Sequence, residues 1–250
     1  MTEPSYLDRG EERLAYAKRG GAGPGIVWLG GFRSDMEGTK ARAVDAWAAR
    51  AKHACLRFDY FGHGRSSGDF LQGTISRWRD DALAVLDALS EGPQVLVGSS
   101  MGGWLAMLAA KARPERVAGL LLIAPATDFT EDLMWEQMPE EARRALLQDG
   151  VWRRESAAAE ESYPISCALI EDGRRNLILD DKHALPFPVR ILQGMADEDV
   201  PWPHALKLSG AIEGDVTVTL VKNGDHRLST PSDLKLLERT LDALMEDVSS

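Results

Sequence analysis

The sequence predicts an α/β fold in which a mostly parallel central sheet carries helices on both faces and a helical cap is inserted over it. Three observations predict it. Short strand patterns alternate with helical ones along most of the chain. Each strand is apolar along its whole length, as strands covered on both faces are. The alternation pauses once, between Asp128 and about Leu185. With 250 residues, the chain has room for one large domain and an insertion. The expected core is therefore 1–127 and 186–250, with the cap in 128–185.

The elements follow in order. Tyr6 to Lys18 alternates around "DRGEE" and reads as an opening hairpin. "GGAGPG" is a turn, and Gly25 to Gly31, "GIVWLGG", a short buried strand ending in glycines. An alanine-rich helix from about Thr39 to Lys52 leads to the strand "ACLRFDY". "ISRWRDDALAVLDALS" has apolar residues at helical spacing, and "QVLVG" is the next strand. Ser100 to Lys111 reads as a helix and "VAGLLLIAPA" as a buried strand. Asp128 to about Leu185 has no strand pattern; "PEEARRALLQDG" and "YPISCALIEDG" read as short helices, and the stretch is too long for a plain connection. "VRILQG", a helix after Pro203, "VTVTLV" and a helix from about Ser232 to Glu246 complete the pattern.

Composition excludes several function classes. The formal charge of −10 argues against a general nucleic-acid binder, which needs a basic face. No apolar run approaches the ~20 residues of a membrane span. The opening "MTEPSYLDRGEERLAY" has neither a basic n-region nor an apolar h-region, so a cytoplasmic location is expected. Cys55 and Cys167 lack metal-ligand spacing and read as two reduced, buried thiols. No cofactor or metal is expected, and the chain is expected to be a monomer or weak homo-oligomer.

Gly98-Ser99-Ser100-Met101-Gly102 fits G-x-S-x-G between a strand and a helix. Such a turn lifts the central side chain clear of the sheet, which makes Ser100 the candidate nucleophile and leaves Ser99 on the strand side. A serine hydroxyl needs a base. His53 and His63 precede the serine, His183 ends the cap and His204 lies just inside a helix. His226, in "VKNGDHRL" after the last strand, stands where the chain order serine, acid, histidine requires the base. The acid orients the imidazole. Asp197 in "LQGMADEDVPW" is preferred; Asp128 is the rival because it too follows a strand, while Glu198 and Asp199 read as loop charges. Two backbone donors complete the chemistry, the N–H of Met101 at a helix start and that of Phe32 after Gly31. The glycine loop lacks the Gly-Lys-Ser/Thr of a phosphate cradle. In the cap, Met134, Trp135, Met138 and Trp152 supply large apolar area. They either glue the cap to the sheet or line the substrate entrance, with Trp135, Met138 and Trp152 as the pocket candidates.

With those residues placed, the chain resembles the α/β-hydrolase superfamily, and within it the mitochondrial palmitoyl-protein thioesterases and acyl-glucuronide esterases. The resemblance runs from about Arg13 to Met245. It is carried by "GGFRSDMEGTKA", "HACLRFDYFGHGRSSG", "GPQVLVGSSMGGWLA", "ARPERV", "GMADEDVPW" and "DHR". It implies a serine hydrolase of thioesters or carboxylic esters, with Ser100, Asp197 and His226 at matching positions. Two departures from the superfamily pattern stand out: Gly30-Gly31 and Gln193-Gly194 each replace a His-Gly pair. The mitochondrial location is not carried over. The reading is an enzyme acting on an acyl ester or thioester through an acyl-serine intermediate. A carbon–carbon bond hydrolase on the same residues and a non-catalytic ligand receptor on the same fold are the alternatives. A dehalogenase or epoxide hydrolase would carry a carboxylate at the elbow.

Overall fold

The structure, a computed structural model, describes residues 4–154 and 162–249. The chain opens with the antiparallel hairpin β1 (Ser5–Arg9) and β2 (Glu12–Arg19). There follow β3 (Ala22–Leu29), α1 (Thr39–Ala51), β4 (His53–Phe58), α2 (Ile75–Leu89), β5 (Gln94–Ser99), α3 (Met101–Ala112) and β6 (Val117–Ile123). Next come a π-helical turn (Thr130–Trp135), α4 (Glu140–Asp149), β7 (Val151–Arg154), β8 (Tyr163–Ser166), α5 (Cys167–Arg174) and β9 (His183–Ala184). The chain finishes with β10 (Val189–Gly194), α6 (Trp202–Ala211), β11 (Ile212–Glu213), β12 (Val216–Val221) and α7 (Pro231–Ser249).

Eight strands form the main sheet in the order β1-β2-β4-β3-β5-β6-β10-β12. From β4 to β12 every neighbouring pair is parallel. Period-two alternation sorts each strand's side chains to two cores. Ile26, Trp28, Val95, Val97, Leu121 and Ile123 face Val44 and Trp47 of α1 and Leu241 and Leu244 of α7. Val27, Leu29, Leu96, Leu120 and Leu122 face Trp78 of α2, Trp104 and Leu105 of α3 and Leu208 of α6. Burying each such side chain stabilises the fold by roughly 1.5–3 kcal/mol.

The strand order also places the site. β3 leads to β4 on one side of itself, and β4 leads to β5 on the other. The chain therefore reverses direction across the sheet between β3 and β5, and a crevice opens beyond their carboxyl ends. Phe32 follows the first of these strands and Ser100 the second.

Several expectations are corrected. β3 starts at Ala22 rather than Gly25, because the Ala22 N–H donates to the Lys52 carbonyl at 2.9 Å. β4 ends at Phe58, because buried Asp59 turns its carboxylate back to the N–H groups of Met36 (2.7 Å) and Arg65 (2.8 Å). Residues 128–185 do contain strands: β7 and β8 pair antiparallel, and β9 pairs with β11. The helix expected over "YPISCALIEDG" begins only at Cys167, where the Ser166 hydroxyl accepts the Leu169 N–H at 3.1 Å. Residues 155–161 of the expected cap lie outside the described residues. Cys55 is buried, and burial pushes its thiol up to about 12; Cys167 is only half-buried, with its thiol beside Glu171.

Candidate active site

At the end of β5 the backbone turns sharply. Ser100 holds φ 54° and ψ −121°, a left-handed conformation that a side chain adopts only where the surroundings impose it. Here they do so: its N–H donates to Ile123 at 2.9 Å, and its carbonyl accepts from Gly103 (2.8 Å) and Ala126 (3.1 Å). The turn is also too tight for flanking side chains. A Cβ on Gly98 would sit 2.3 Å from the Gly102 carbonyl oxygen, and one on Gly102 2.1 Å from that of Leu29.

Three loops converge on Ser100. His226, between β12 and α7, places Nε2 3.0 Å from Ser100 Oγ and Nδ1 2.8 Å from Asp197 Oδ2. A carboxylate only accepts, so Nδ1 carries the proton and Nε2 is the acceptor that faces the hydroxyl. The Asp197 side chain is wholly buried, and its other oxygen accepts from the N–H groups of Asp199 (2.9 Å) and Val200 (2.8 Å). Asp197, Asp199 and His226 also bring potential cation ligands within 4.8 Å of one another. Both Asp197 oxygens are already taken up by N–H donors there.

Each candidate backbone donor faces the same crevice. Met101 opens α3, so its N–H has no acceptor within the helix. The Gly31 carbonyl accepts from Ser34 N–H (3.1 Å) and Oγ (2.7 Å). The Phe32 N–H, on the opposite edge of that trans peptide, therefore points away from the turn. Gly31 lies against Ser100, where a Cβ would come within 3.3 Å of the serine Cβ. The next N–H, that of Arg33, donates to His63 Nε2 at 3.2 Å, while His63 Nδ1 donates to the Phe61 carbonyl at 3.1 Å. Burial lowers the His63 pKa and keeps the ring neutral for this role.

The other sequence candidates go elsewhere. Asp128 accepts the Ile178 and Leu179 N–H groups, as a tether within its own segment. His183 bonds the Ile178 carbonyl at 2.7 Å, His204 that of Thr127 at 2.6 Å, and the His53 ring stacks on Trp47. Ser99 is buried at the end of β5.

Two cavities meet at Ser100 and His226. One of about 270 Å³ is lined by Phe32, Phe129, Leu133, Met134 and Tyr163, with Glu198 and Asp199 at its side. The other, of about 410 Å³, is bordered by Ser34, Asp35, Lys40, Arg227 and Ser229. Trp135, Met138 and Trp152 line neither, which corrects the expected pocket. Arg143 and Arg174 cover the Trp135 ring at 5.2 and 4.6 Å, Met138 is buried in the core, and Trp152 packs against the core from β7. Met134, which the sequence offers only as one of the cap's large apolar residues and not as a pocket candidate, lines the first cavity; Phe129, Leu133 and Tyr163 go unnamed in the sequence, because their apolar character carries no signal distinct from packing. The sequence also singles out Gln193 without a role for it.

Residues 20–235 match the alpha/beta hydrolase family. The chain is 39% identical over 252 residues to the human (Homo sapiens) mitochondrial palmitoyl-protein thioesterase ABHD10, covering all of this chain and 82% of that protein. The solved structure of mouse ABHD10 superposes with a TM-score of 0.91 at 39% identity, over 98% of this chain and 99% of the other. A structure from Agrobacterium vitis S4, whose name gives it provisionally as a hydrolase, reaches 0.92 at 42% identity over 98% of both chains. The expected cytoplasmic location is overturned: these full-length relatives are named as mitochondrial proteins. The composition of residues 1–16 does not by itself specify a compartment. Among the described residues no helix is long and apolar enough to cross a membrane.

Proposed function

The chain belongs to the alpha/beta hydrolase family and is a hydrolase of thioesters or carboxylic esters, and on that premise we propose that Ser100, His226 and Asp197 perform the reaction. The observation that carries this reading is the unbroken line of hydrogen bonds from Asp197 through His226 to Ser100, at 2.8 and 3.0 Å. His226 Nε2 takes the hydroxyl proton as Oγ attacks the acyl carbon. The backbone N–H groups of Phe32 and Met101 receive the charge that develops on the carbonyl oxygen. Collapse of the tetrahedral species breaks the bond to the leaving thiol or alcohol, which takes its proton from His226. Water, deprotonated by the same Nε2, then releases the acid from the acyl-serine. Asp197 holds the imidazole in the required tautomer and stabilises its charged form throughout.

Residues 128–185 are read as the cap and the remainder as the core. The apolar cavity beside Phe129, Leu133 and Met134 is assigned to the acyl chain, in keeping with relatives named for a palmitoyl thioester. The test is covalent. A fluorophosphonate should label Ser100, mapped by peptide mass spectrometry, and abolish hydrolysis in proportion to labelling. Label absent from Ser100 in an active enzyme would refute the assignment.

A further inference from the structure

Lys40 occupies an unfavourable place for a lysine. It is the second residue of α1, where the aligned backbone dipoles present partial positive charge and disfavour a cation. Its side chain is half-buried beside the larger cavity, and burial pushes its pKa down to about 8. Asp225, Asp233 and Asp197 face it and favour the ammonium, while Arg227 opposes it. A residue kept against both effects needs a compensating contact, and the structure supplies one: Nζ donates to the backbone carbonyl of Arg227.

Arg227 follows His226 directly. The loop that carries them is also anchored by Leu228, buried in the core, and by the Ala196 N–H, which donates to the Gly224 carbonyl at 2.9 Å. The Leu228 N–H donates to Asp225 Oδ1 at 2.9 Å, and Ser229 Oγ donates to the same Arg227 carbonyl at 2.9 Å. Lys40 comes from a different element, packed on the sheet through Ala41 and Val44. The His226 ring itself is partly exposed, with a side-chain accessibility of 24%, so core packing alone does not fix it. We propose that Lys40 is a positioning residue, tying the His226 loop to α1 so that the imidazole stays in line with Ser100. This assigns a task to the "GTKA" stretch, which the reaction chemistry leaves unexplained. The proposal rests on the reading of Ser100 and His226 given above.

It carries a pH signature. As pH rises through about 8, Lys40 loses its proton. A neutral amine donates a weaker bond to the carbonyl, and the tether slackens. Turnover by the wild type should therefore fall on an alkaline limb near that pH. An arginine stays charged and keeps the donor, so it should remove the limb.

The experiment compares the wild type with Lys40→Met and Lys40→Arg on p-nitrophenyl butyrate, an uncharged substrate. Background hydrolysis is subtracted and thermal midpoints are recorded. Lys40→Met should lose about 10- to 100-fold in kcat, the scale of misplacing a catalytic group, with KM within about two-fold of wild type. Lys40→Arg should keep most of kcat and show no limb near pH 8. Full kcat in Lys40→Met overturns the proposal. So does a raised KM at unchanged kcat, which would make Lys40 a substrate-binding group. If Lys40→Met fails to fold, the Lys40→Arg profile decides alone, and persistence of the limb overturns the proposal. Failure of the underlying reading shows separately, as wild-type enzyme whose Ser100 takes no fluorophosphonate, and it removes this proposal as well.

Discussion

Gln193 donates its side-chain N–H to Oδ2 of Asp197 at 3.0 Å, the same oxygen that receives the His226 N–H. Gln193 is the penultimate residue of β10 and is completely buried. Its amide nitrogen also reaches the carbonyls of Gly194 (3.1 Å) and Val200 (2.9 Å). Rotating the amide would aim its oxygen at three acceptors, so only this orientation is allowed. With Asp199 and Val200 on Oδ1, all directions of the Asp197 carboxylate are held.

A Gln193→Leu substitution keeps the bulk and removes the donor. It should lower kcat by about 10-fold or more through loss of carboxylate orientation, with KM for a simple ester unchanged. The carbonyls left buried without a partner should reduce stability by roughly 1–3 kcal/mol. Steady-state kinetics beside a thermal melt separates the two effects. A lowered midpoint with wild-type kcat would make Gln193 a purely structural clamp.

Ser100→Ala should abolish ester hydrolysis, whereas Ser99→Ala should leave most of it. Ser100 alone reaches His226, while Ser99 is buried in β5 and pairs with Ile123. Turnover numbers for the two purified variants check this. Near-wild-type rates in Ser100→Ala would require another nucleophile.

His226→Ala and Asp197→Asn should each cut kcat by ~10³-fold or more, since in the proposed reaction the three groups act as a unit. Steady-state kinetics on the two folded variants check this, and near-wild-type kcat in either would contradict the assignment.

Asp128 should govern stability rather than turnover. Burial raises its carboxyl to about 6, despite the N–H groups of Ile178 and Leu179 that bond it. The folded chain thus keeps a proton that the unfolded chain releases near 3.8. The resulting stabilisation is fully present below about 3.8 and is lost as pH rises through about 6; it amounts to up to about 3 kcal/mol. Asp128→Asn does not titrate, so its stability deficit against wild type should be larger at about pH 4.5 than at about pH 7.5. Chemical denaturation at the two values measures it, and a deficit that grows with pH would contradict the assignment.

The parts of the site that the sequence made legible share one property: each hangs on an apolar strand. Ser100, Asp197 and His226 follow β5, β10 and β12, and a strand end in a parallel sheet points to one edge whatever the loop contains. The cap offers no such frame. β7 and β8 are four residues each, too short for a period-two pattern to rise above chance, and one carries Pro164. Trp135 stands out by composition, yet composition does not separate a ring gripped by Arg143 and Arg174 from one facing substrate. Gln193 and Lys40 reach acceptors that only the fold brings near them, the Asp197 carboxylate and the Arg227 carbonyl, and no residue pattern announces such contacts.

Acyl selectivity follows from the cap-side cavity. Phe129, Leu133 and Met134 give it apolar walls close to Ser100, and each methylene buried there is worth up to ~0.8 kcal/mol, or about four-fold in kcat/KM. Rates on p-nitrophenyl esters or matched thioesters should climb from acetyl to medium chains and then level as the cavity fills. Met134→Ala should flatten the climb, losing more on hexanoyl than on acetyl substrate. Trp135→Ala should lower the melting temperature and leave the slope intact, because that ring packs under arginines outside the cavity. Glu198 and Asp199 flank the same space. An acyl chain ending in a carboxylate should therefore react more slowly than its methyl-ended counterpart of equal length, and the gap should narrow with added salt. A wild-type profile that falls steadily from acetyl onward would refute the acyl assignment of this cavity while leaving Ser100 and its partners unaffected.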